Sequence, residues 1–439
     1  MKTKFYRTLV LFATVIFTLA ACTNGGSGDG TEVTPTPLGG DQQVILIWWN
    51  LFEPVENVQP LIDAYETLHP NVTIQYDEKG IDGIDGYEQT ISSALSDNDP
   101  LTSPDIFTIH NTWAGKYEQY ISKAPESIVT QENMADFYPV VNQDFNSNGI
   151  VAVPIYLDTL AIIYNKDKLI SGGYTIPSDD WSEFQLQAKQ LTEKNNNNQI
   201  VSGGFSAGIP ENSEFYFDML NLLFLQNGVQ MTDESGQAIF ADQIESSDAV
   251  NFYRTFYTGT DATWSSSFKL DVAAFLESDL AMYAGPSWRL IDILNFNNAF
   301  ALNLDVGVVP VPQLGGDQSV TWATYWGQTV SNDSTNKEVA WDFINFITQA
   351  EQLRLLDQTV KDNGRPVGII YPRQSMASDI SGDEYLGPYV QSLPDAQTWD
   401  MYDGFAVKET FDNQIINGSG GLEAIQGIVN QIINSPNTE

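Results

Sequence analysis

The stretch VILIWW at residues 44–49 decides the fold class. So short an unbroken apolar run suits a strand covered on both faces better than a helix. The period changes directly afterwards. Val55, Val58, Leu61, Ile62, Tyr65 and Leu68 recur at helical spacing until His69-Pro70 ends the pattern. Val72-Thr-Ile74-Gln-Tyr76 then alternates like a strand. Residues 105–109, 151–154 and 160–164 read as further strands, and 339–347 as a helix with Ala340, Phe343, Ile344 and Ile347 on one side. Strands alternating with helices predict an α/β sandwich on a mostly parallel or mixed sheet.

At the N-terminus, Lys2, Lys4 and Arg7 precede an apolar run from Leu9 to Ala20, and Leu19-Ala-Ala-Cys22 opens a stretch of Gly, Ser, Thr and Pro. A basic start, a short apolar segment and small residues at the cut describe a secretory signal over residues 1–21. A membrane span would need about 20 apolar residues. The only cysteine stands directly after Leu-Ala-Ala. That string resembles the bacterial lipobox, which implies cleavage before Cys22 and a lipid on its thiol, and several acyl chains suffice for stable anchoring. Residues 22–43 read as a flexible tether. A single cysteine allows no disulfide within the chain, so a buried core must hold the fold. About 400 mature residues suggest two or three domains, and 42% hydrophobic with 12% aromatic residues fits globular packing.

Against 57 Asp+Glu stand 19 Lys+Arg, a net charge of −38; residues 1–21 hold three positive and no negative charges, which leaves −41. This balance argues against a nucleic-acid partner, because such binding rests on Lys and Arg neutralising phosphates. It also argues against a polybasic membrane contact. Neutral or cationic small ligands are favoured.

Motifs for catalysis are few. His69 and His110 are the only histidines and Cys22 is remote, which excludes a Cys/His zinc site. Gly204-Phe-Ser206-Ala-Gly208 matches the G-x-S-x-G string, but that elbow needs a histidine downstream and none follows position 110. Asp82-Gly-Ile-Asp85-Gly and Asp97-Asn-Asp99 do not continue into a calcium loop, and no Walker-type phosphate loop occurs. The many acids leave open a glycosidase pair, which needs two carboxylates roughly 5–10 Å apart.

The aromatics carry more information. Several of the ten tryptophans stand beside Asn, Gly or Pro where a strand should end: Trp48-Trp49-Asn50, Asn111-Thr-Trp113, Gly285-Pro-Ser-Trp288 and Trp322-Ala-Thr-Tyr325-Trp326-Gly327. Open α/β folds bind ligands beyond the carboxyl ends of strands. There a ring can cover the C–H face of a pyranose while amides and carboxylates bond its hydroxyls.

One ordered series goes further. It begins with Asn148-Gly-Ile-Val-Ala-Val-Pro154-Ile-Tyr-Leu-Asp158-Thr-Leu-Ala-Ile-Ile-Tyr164-Asn165-Lys166-Asp and Asp180-Trp181-Ser-Glu. Phe275-Leu-Glu-Ser-Asp-Leu-Ala-Met282, Gly285-Pro286, Val306-Gly-Val-Val-Pro310, residues 336–346 and Arg365-Pro366 follow in order. From Val44 onward the chain resembles the extracellular solute-binding proteins of ATP-driven sugar importers, the maltose-binding-like lipoproteins. The resemblance implies a two-lobed periplasmic-binding-protein-like α/β fold. One lobe comprises residues 44–150 plus 308–350, the other 151–307 plus 351–439. Hinge crossings are expected near Gly149 and residues 307 and 350, and closure follows tighter binding to the closed state.

The resemblance further implies a carbohydrate ligand held in an interlobe cleft, an ABC importer permease as partner and a monomer on the outer face of the cytoplasmic membrane. No catalytic, metal or cofactor set is expected. A polyamine, peptide or sugar phosphate is the alternative ligand, and a surface glycoside hydrolase the enzymatic alternative. Position by position, the matching contacts are Trp49, Asn50 and Glu53 after the first strand and Asn111 and Trp113 after Ile109. Tyr156 and Asp158 follow the crossing, with Phe215 or Tyr216 as a cleft aromatic. Trp288 comes after Gly-Pro with Ser287 interposed, and Tyr325, Trp326 and Arg365 complete the set. The small Gly-Gly motif usual before the final strand of the first lobe is replaced here by Trp-Ala-Thr-Tyr-Trp, whose bulk narrows the cleft.

Overall fold

A computed structural model describes residues 42–97, 102–315, 318–414 and 421–435. The expected signal segment, Cys22 and the tether as far as residue 41 lie outside the described residues. In chain order the strands are β1 (Val44–Asn50), β2 (Val72–Glu78), β3 (Ile106–His110), β4 (Ile121–Ser122), β5 (Ala161–Asn165), β6 (Glu193–Lys194), β7 (Ile200–Phe205), β8 (Leu280–Gly285), β9 (Val306–Pro310), β10 (Thr321–Trp322), β11 (Trp326–Ser331) and β12 (Ala396–Gln397).

The strands assemble into sheets β2-β1-β3-β11-β4 and β6-β7-β8-β5-β9, with β10 and β12 as a separate pair. In the first, β1 runs parallel to β2 and β3, while β11 is antiparallel to β3 with Gly327 opposite Ile109. In the second, β7 and β8 are parallel and β5 is antiparallel to both β8 and β9. These mixed sheets among helices form the expected two-lobed α/β fold.

Local sequence explains the elements that support the site. Helix Val55–Leu68 buries Val58, Leu61, Ile62 and Tyr65, the apolar stripe read from spacing. His69 closes it: its backbone N–H donates to the Tyr65 carbonyl and its ring stacks on Tyr65 at 4.3 Å. Helix Lys337–Ile347 buries Val339, Ala340, Trp341, Phe343, Ile344 and Ile347. At Gly204 the backbone of β7 passes so close to helix Trp181–Leu191 that a Cβ would stand 1.8 Å from the Ala188 carbonyl oxygen. Only glycine fits there, which accounts for part of the G-x-S-x-G string without any nucleophile.

Four expectations need correction. Strand β1 is not covered on both faces: Ile45 is 52% exposed, because its neighbour on β2 is the solvent-facing Thr73. Residues 151–154 form no strand; Val153 makes a lone bridge to Gln328 as the chain leaves the first sheet. The crossing expected at residue 307 falls after Pro310, since β9 pairs along its whole length with β5. The one expected at 350 also falls later. Helix Ala350–Asp362 packs on helix Val55–Leu68, and Arg373 still bonds Asp136 and Asn133 of the first lobe. Apolar burial against a neighbouring helix, which the chain order does not display, keeps this segment in the first lobe.

Candidate functional site

Between the two sheets lies a cavity of about 620 Å³, lined from both lobes and from the segments that join them. On the first-lobe side β1 ends and the chain turns sharply. Phe52 takes φ 66°, a left-handed conformation that costs a non-glycine residue about 1 kcal/mol or more. The turn sets its ring edge-on to Trp326 at 5.6 Å, 44% exposed on the cavity wall. Glu53 follows, buried, and accepts both Arg365 Nη2 contacts at 2.7 and 2.8 Å and Asn57 Nδ2 at 2.7 Å. Arg365 is thereby fixed on this wall with its charge already matched.

Strand β3 ends at His110, whose Nδ1 and Nε2 lie 2.8 and 3.1 Å from the hydroxyls of Thr112 and Thr324. Burial pushes its pKa down to about 3, so the ring is neutral at physiological pH. Trp113 lies fully buried behind it, with Trp326 at 5.3 Å and Phe405 at 5.2 Å. Phe405 comes from helix Gly404–Gln414 and reaches the first lobe to pack edge-on to His110 at 5.1 Å.

The opposite wall is built on helices Tyr216–Gln226 and Ser287–Ala299. Asp158 accepts Ser287 N–H and Oγ–H at 2.8 Å each, Trp288 N–H at 3.3 Å and Thr159 N–H at 2.9 Å. A carboxylate on the free N–H groups that open a helix is a cap, and this one aims Trp288 at the cavity. Burial nevertheless raises Asp158 to about 7. Trp288, 45% exposed, meets Phe215 edge-on at 5.5 Å and carries the Arg289 guanidinium 4.5 Å above its ring. Arg289 in turn bonds Glu214 and, at 2.8 Å, Asp292. Asp218 accepts the Trp322 indole N–H at 2.9 Å and is raised to about 6 by burial.

Of the residues expected as contacts, Glu53, Tyr156, Asp158, Phe215, Trp288, Tyr325, Trp326 and Arg365 line this cavity. The others are displaced, for stated reasons. Asn50 is braced inside the sheet, its side-chain oxygen accepting from Thr108 at 2.8 Å and Gln328 at 3.1 Å. Trp49 packs under the Lys79 ammonium, 4.3 Å from its ring. Asn111 faces a smaller cavity of about 290 Å³ and donates to Asp144 at 3.0 Å. Trp113 supports Trp326 from behind, and Tyr216 turns its hydroxyl to Asp412. Sequence reading missed Phe52, His110, Glu214, Asp218, Trp322, Phe405 and Lys408, all on the wall. For Trp322 a signal existed, since it lies in the quoted Trp-Ala-Thr-Tyr-Trp stretch. Asp218 and Lys408 stand on helix faces that only tertiary packing turns inward.

Comparison with known proteins agrees with this architecture. Residues 52–353 match the family model described as bacterial extracellular solute-binding protein. A curated relative, a probable ABC transporter-binding protein of Deinococcus radiodurans, is 24% identical over 278 residues, 61% of this chain. The chain spans 62% of that relative's length. Among solved structures, the sugar-binding protein MalE of Xanthomonas citri superposes with a TM-score of 0.71 at 16% identity, covering 89% of this chain and 97% of its own. A solute-binding protein of Thermotoga lettingae bound with α-D-tagatose gives 0.68 at 17% identity, covering 90% and 100%. The GacH receptor of Streptomyces glaucescens, solved unliganded and with acarbose, gives 0.66 at 19% identity, covering 89% and 97%.

Proposed function

The chain belongs to the bacterial extracellular solute-binding proteins, and on that premise we propose that it captures a carbohydrate in the interlobe cavity and delivers it to an ABC importer. One observation carries this reading. Phe52 and Trp326 from the first lobe, Phe215 and Trp288 from the second and Phe405 from the C-terminal segment face a single cavity, interleaved with carboxylates and a guanidinium. Rings that cover apolar sugar faces and fixed polar groups at their edges are what a pyranose needs. The names of structural relatives, a sugar-binding protein and a tagatose complex among them, support the same ligand class.

Glu53, Tyr156, Asp158, Phe215, Trp288, Tyr325, Trp326 and Arg365 are proposed to form the site, with Asn50, Trp113 and Tyr216 supporting it from behind. Binding without turnover is part of the proposal, as is a lipid on Cys22 that holds the protein at the outer face of the cytoplasmic membrane. Titration of mono- and oligosaccharides, followed by tryptophan emission and thermal shift, tests the core reading. A binder raises the melting temperature by mass action, and Trp288→Ala should weaken that response at least tenfold. No response to any sugar, with a response to spermidine, would remove carbohydrate as the ligand class.

A further inference from the structure

The charges on the cavity wall are unbalanced in a way the sugar reading does not use. Glu53, Asp158, Glu214, Asp218 and Asp292 line it, against Arg365 and Lys408. Both cations have their own carboxylates. Arg365 is held by Glu53, and Lys408 Nζ hydrogen-bonds Asp412 at 3.1 and 3.3 Å. Arg289, just behind the wall, bonds Glu214 and Asp292. An anionic group entering this cavity would meet no uncommitted cation among the described residues.

Among the described residues, two lining acids have no cation at ion-pair distance. Asp158 is saturated by the helix N-terminus it caps. Asp218 differs. Its Oδ1 accepts from Trp322 Nε1 and its own backbone N–H lies against the carboxylate, while Lys408, hydrogen-bonded to Asp412, acts on it only through space. The walls around it are aromatic, and ring faces attract cations with a strength that grows when water is displaced. A half-buried carboxylate beside such rings is best compensated by a cation that arrives with the ligand.

We propose that the cavity selects saccharides bearing a protonated amine, the ammonium seated against Asp218 and the sugar body between Trp288, Trp326 and Phe405. This rests on the reading that the cavity is the carbohydrate site and adds the charge of the ligand to it.

The test compares two isosteric probes on the full-length chain by isothermal titration at neutral pH: maltotriose and its 6-amino-6-deoxy analogue, in which ammonium replaces hydroxyl. The aminated sugar should bind at least tenfold tighter, and added salt should narrow the gap. In Asp218→Asn, which preserves an acceptor for Trp322, the preference should collapse; Asp218→Glu should restore most of it. Equal or tighter binding of maltotriose overturns the charge proposal while leaving the carbohydrate site intact. Binding of spermidine with neither trisaccharide overturns both. Silence towards all three probes overturns the amine proposal, and the wider sugar panel then decides the carbohydrate reading separately.

Discussion

Asp403 lies 2.6 Å from the ammonium of Lys116, so the segment entering the helix that carries Phe405 is tied to the first lobe by an ion pair. Lys116 also meets Glu88, and its side chain is 18% exposed against 14% for Asp403. At this burial, removing the cation leaves two carboxylates facing each other with little solvent. Lys116→Met should therefore destabilise by roughly 1–3 kcal/mol. Urea unfolding of the single variants and of Lys116→Met with Asp403→Asn should give a coupling energy of about 1 kcal/mol. Simple additivity would show that the contact does not hold the segment.

The neighbouring residue makes a steric version of the same prediction. A Cβ on Gly404 would stand 2.3 Å from Thr112 Oγ1. Gly404→Ala should cost about 1–3 kcal/mol by overpacking. Adding Thr112→Ala removes the nearest atom and should return part of that loss in the same assay. Gly404→Ala with unchanged stability would show that Thr112 gives way without cost and that the close approach does not constrain the helix start.

Glu53 and Arg365 are asymmetric partners: Glu53 is 2% exposed and Arg365 19%. Arg365→Met should lose about 2–4 kcal/mol because the acid stays buried and uncompensated, and Glu53→Gln in that background should recover part of it. Thermal melts decide between this and a pair that contributes nothing, for which both variants would melt with the wild type.

His110 predicts a pH signature. Its folded pKa, about 3, lies below the ordinary 6.5, so between those values the unfolded chain binds the extra proton and stability falls with pH. The contribution is present above 6.5 and lost as pH drops toward 3. Several buried acids, Asp158 and Asp218 among them, have raised pKa values and push the opposite way, so the difference from a variant is the readout. Wild-type stability relative to His110→Gln should decline by about 1–3 kcal/mol from pH 7 to pH 4. A pH-independent difference would mean that the imidazole is solvated in the fold as it is in the unfolded chain.

Cys22→Ser should release the protein from membranes into the soluble fraction. Retention in washed membranes would remove the lipid-anchor proposal.

How much of this was legible beforehand depended on range. Residues 44–78 read correctly because each element writes its own period: β1, the helix and β2 are local decisions, and the strand signal survived even though Ile45 faces water. The lobe to which helix Ala350–Asp362 belongs is not legible, because its stripe, Leu353, Leu356 and Val360, shows that something covers it but not what. The site divided similarly. Trp288 was legible because Gly-Pro ends β8 and the next helix begins under it. Trp113 backs the wall instead of lining it, since a tryptophan at a strand end serves equally in either place. Asp218 and Lys408 carried no local signal at all.

The pairing of β3 with β11 has a consequence for how the protein is made. Tyr325 and Asn111, at the ends of those strands, are 214 positions apart, and the whole second sheet is encoded between them. A growing chain therefore carries β3 with a bare edge until almost three quarters of its length has been synthesised. Exposed edges invite pairing with the wrong partner, and such distant closure is slow. Neither lobe exists as a contiguous gene fragment, so truncated products should be sticky intermediates and not half-proteins, and the unfinished chain depends on whatever shields that edge until the end of synthesis.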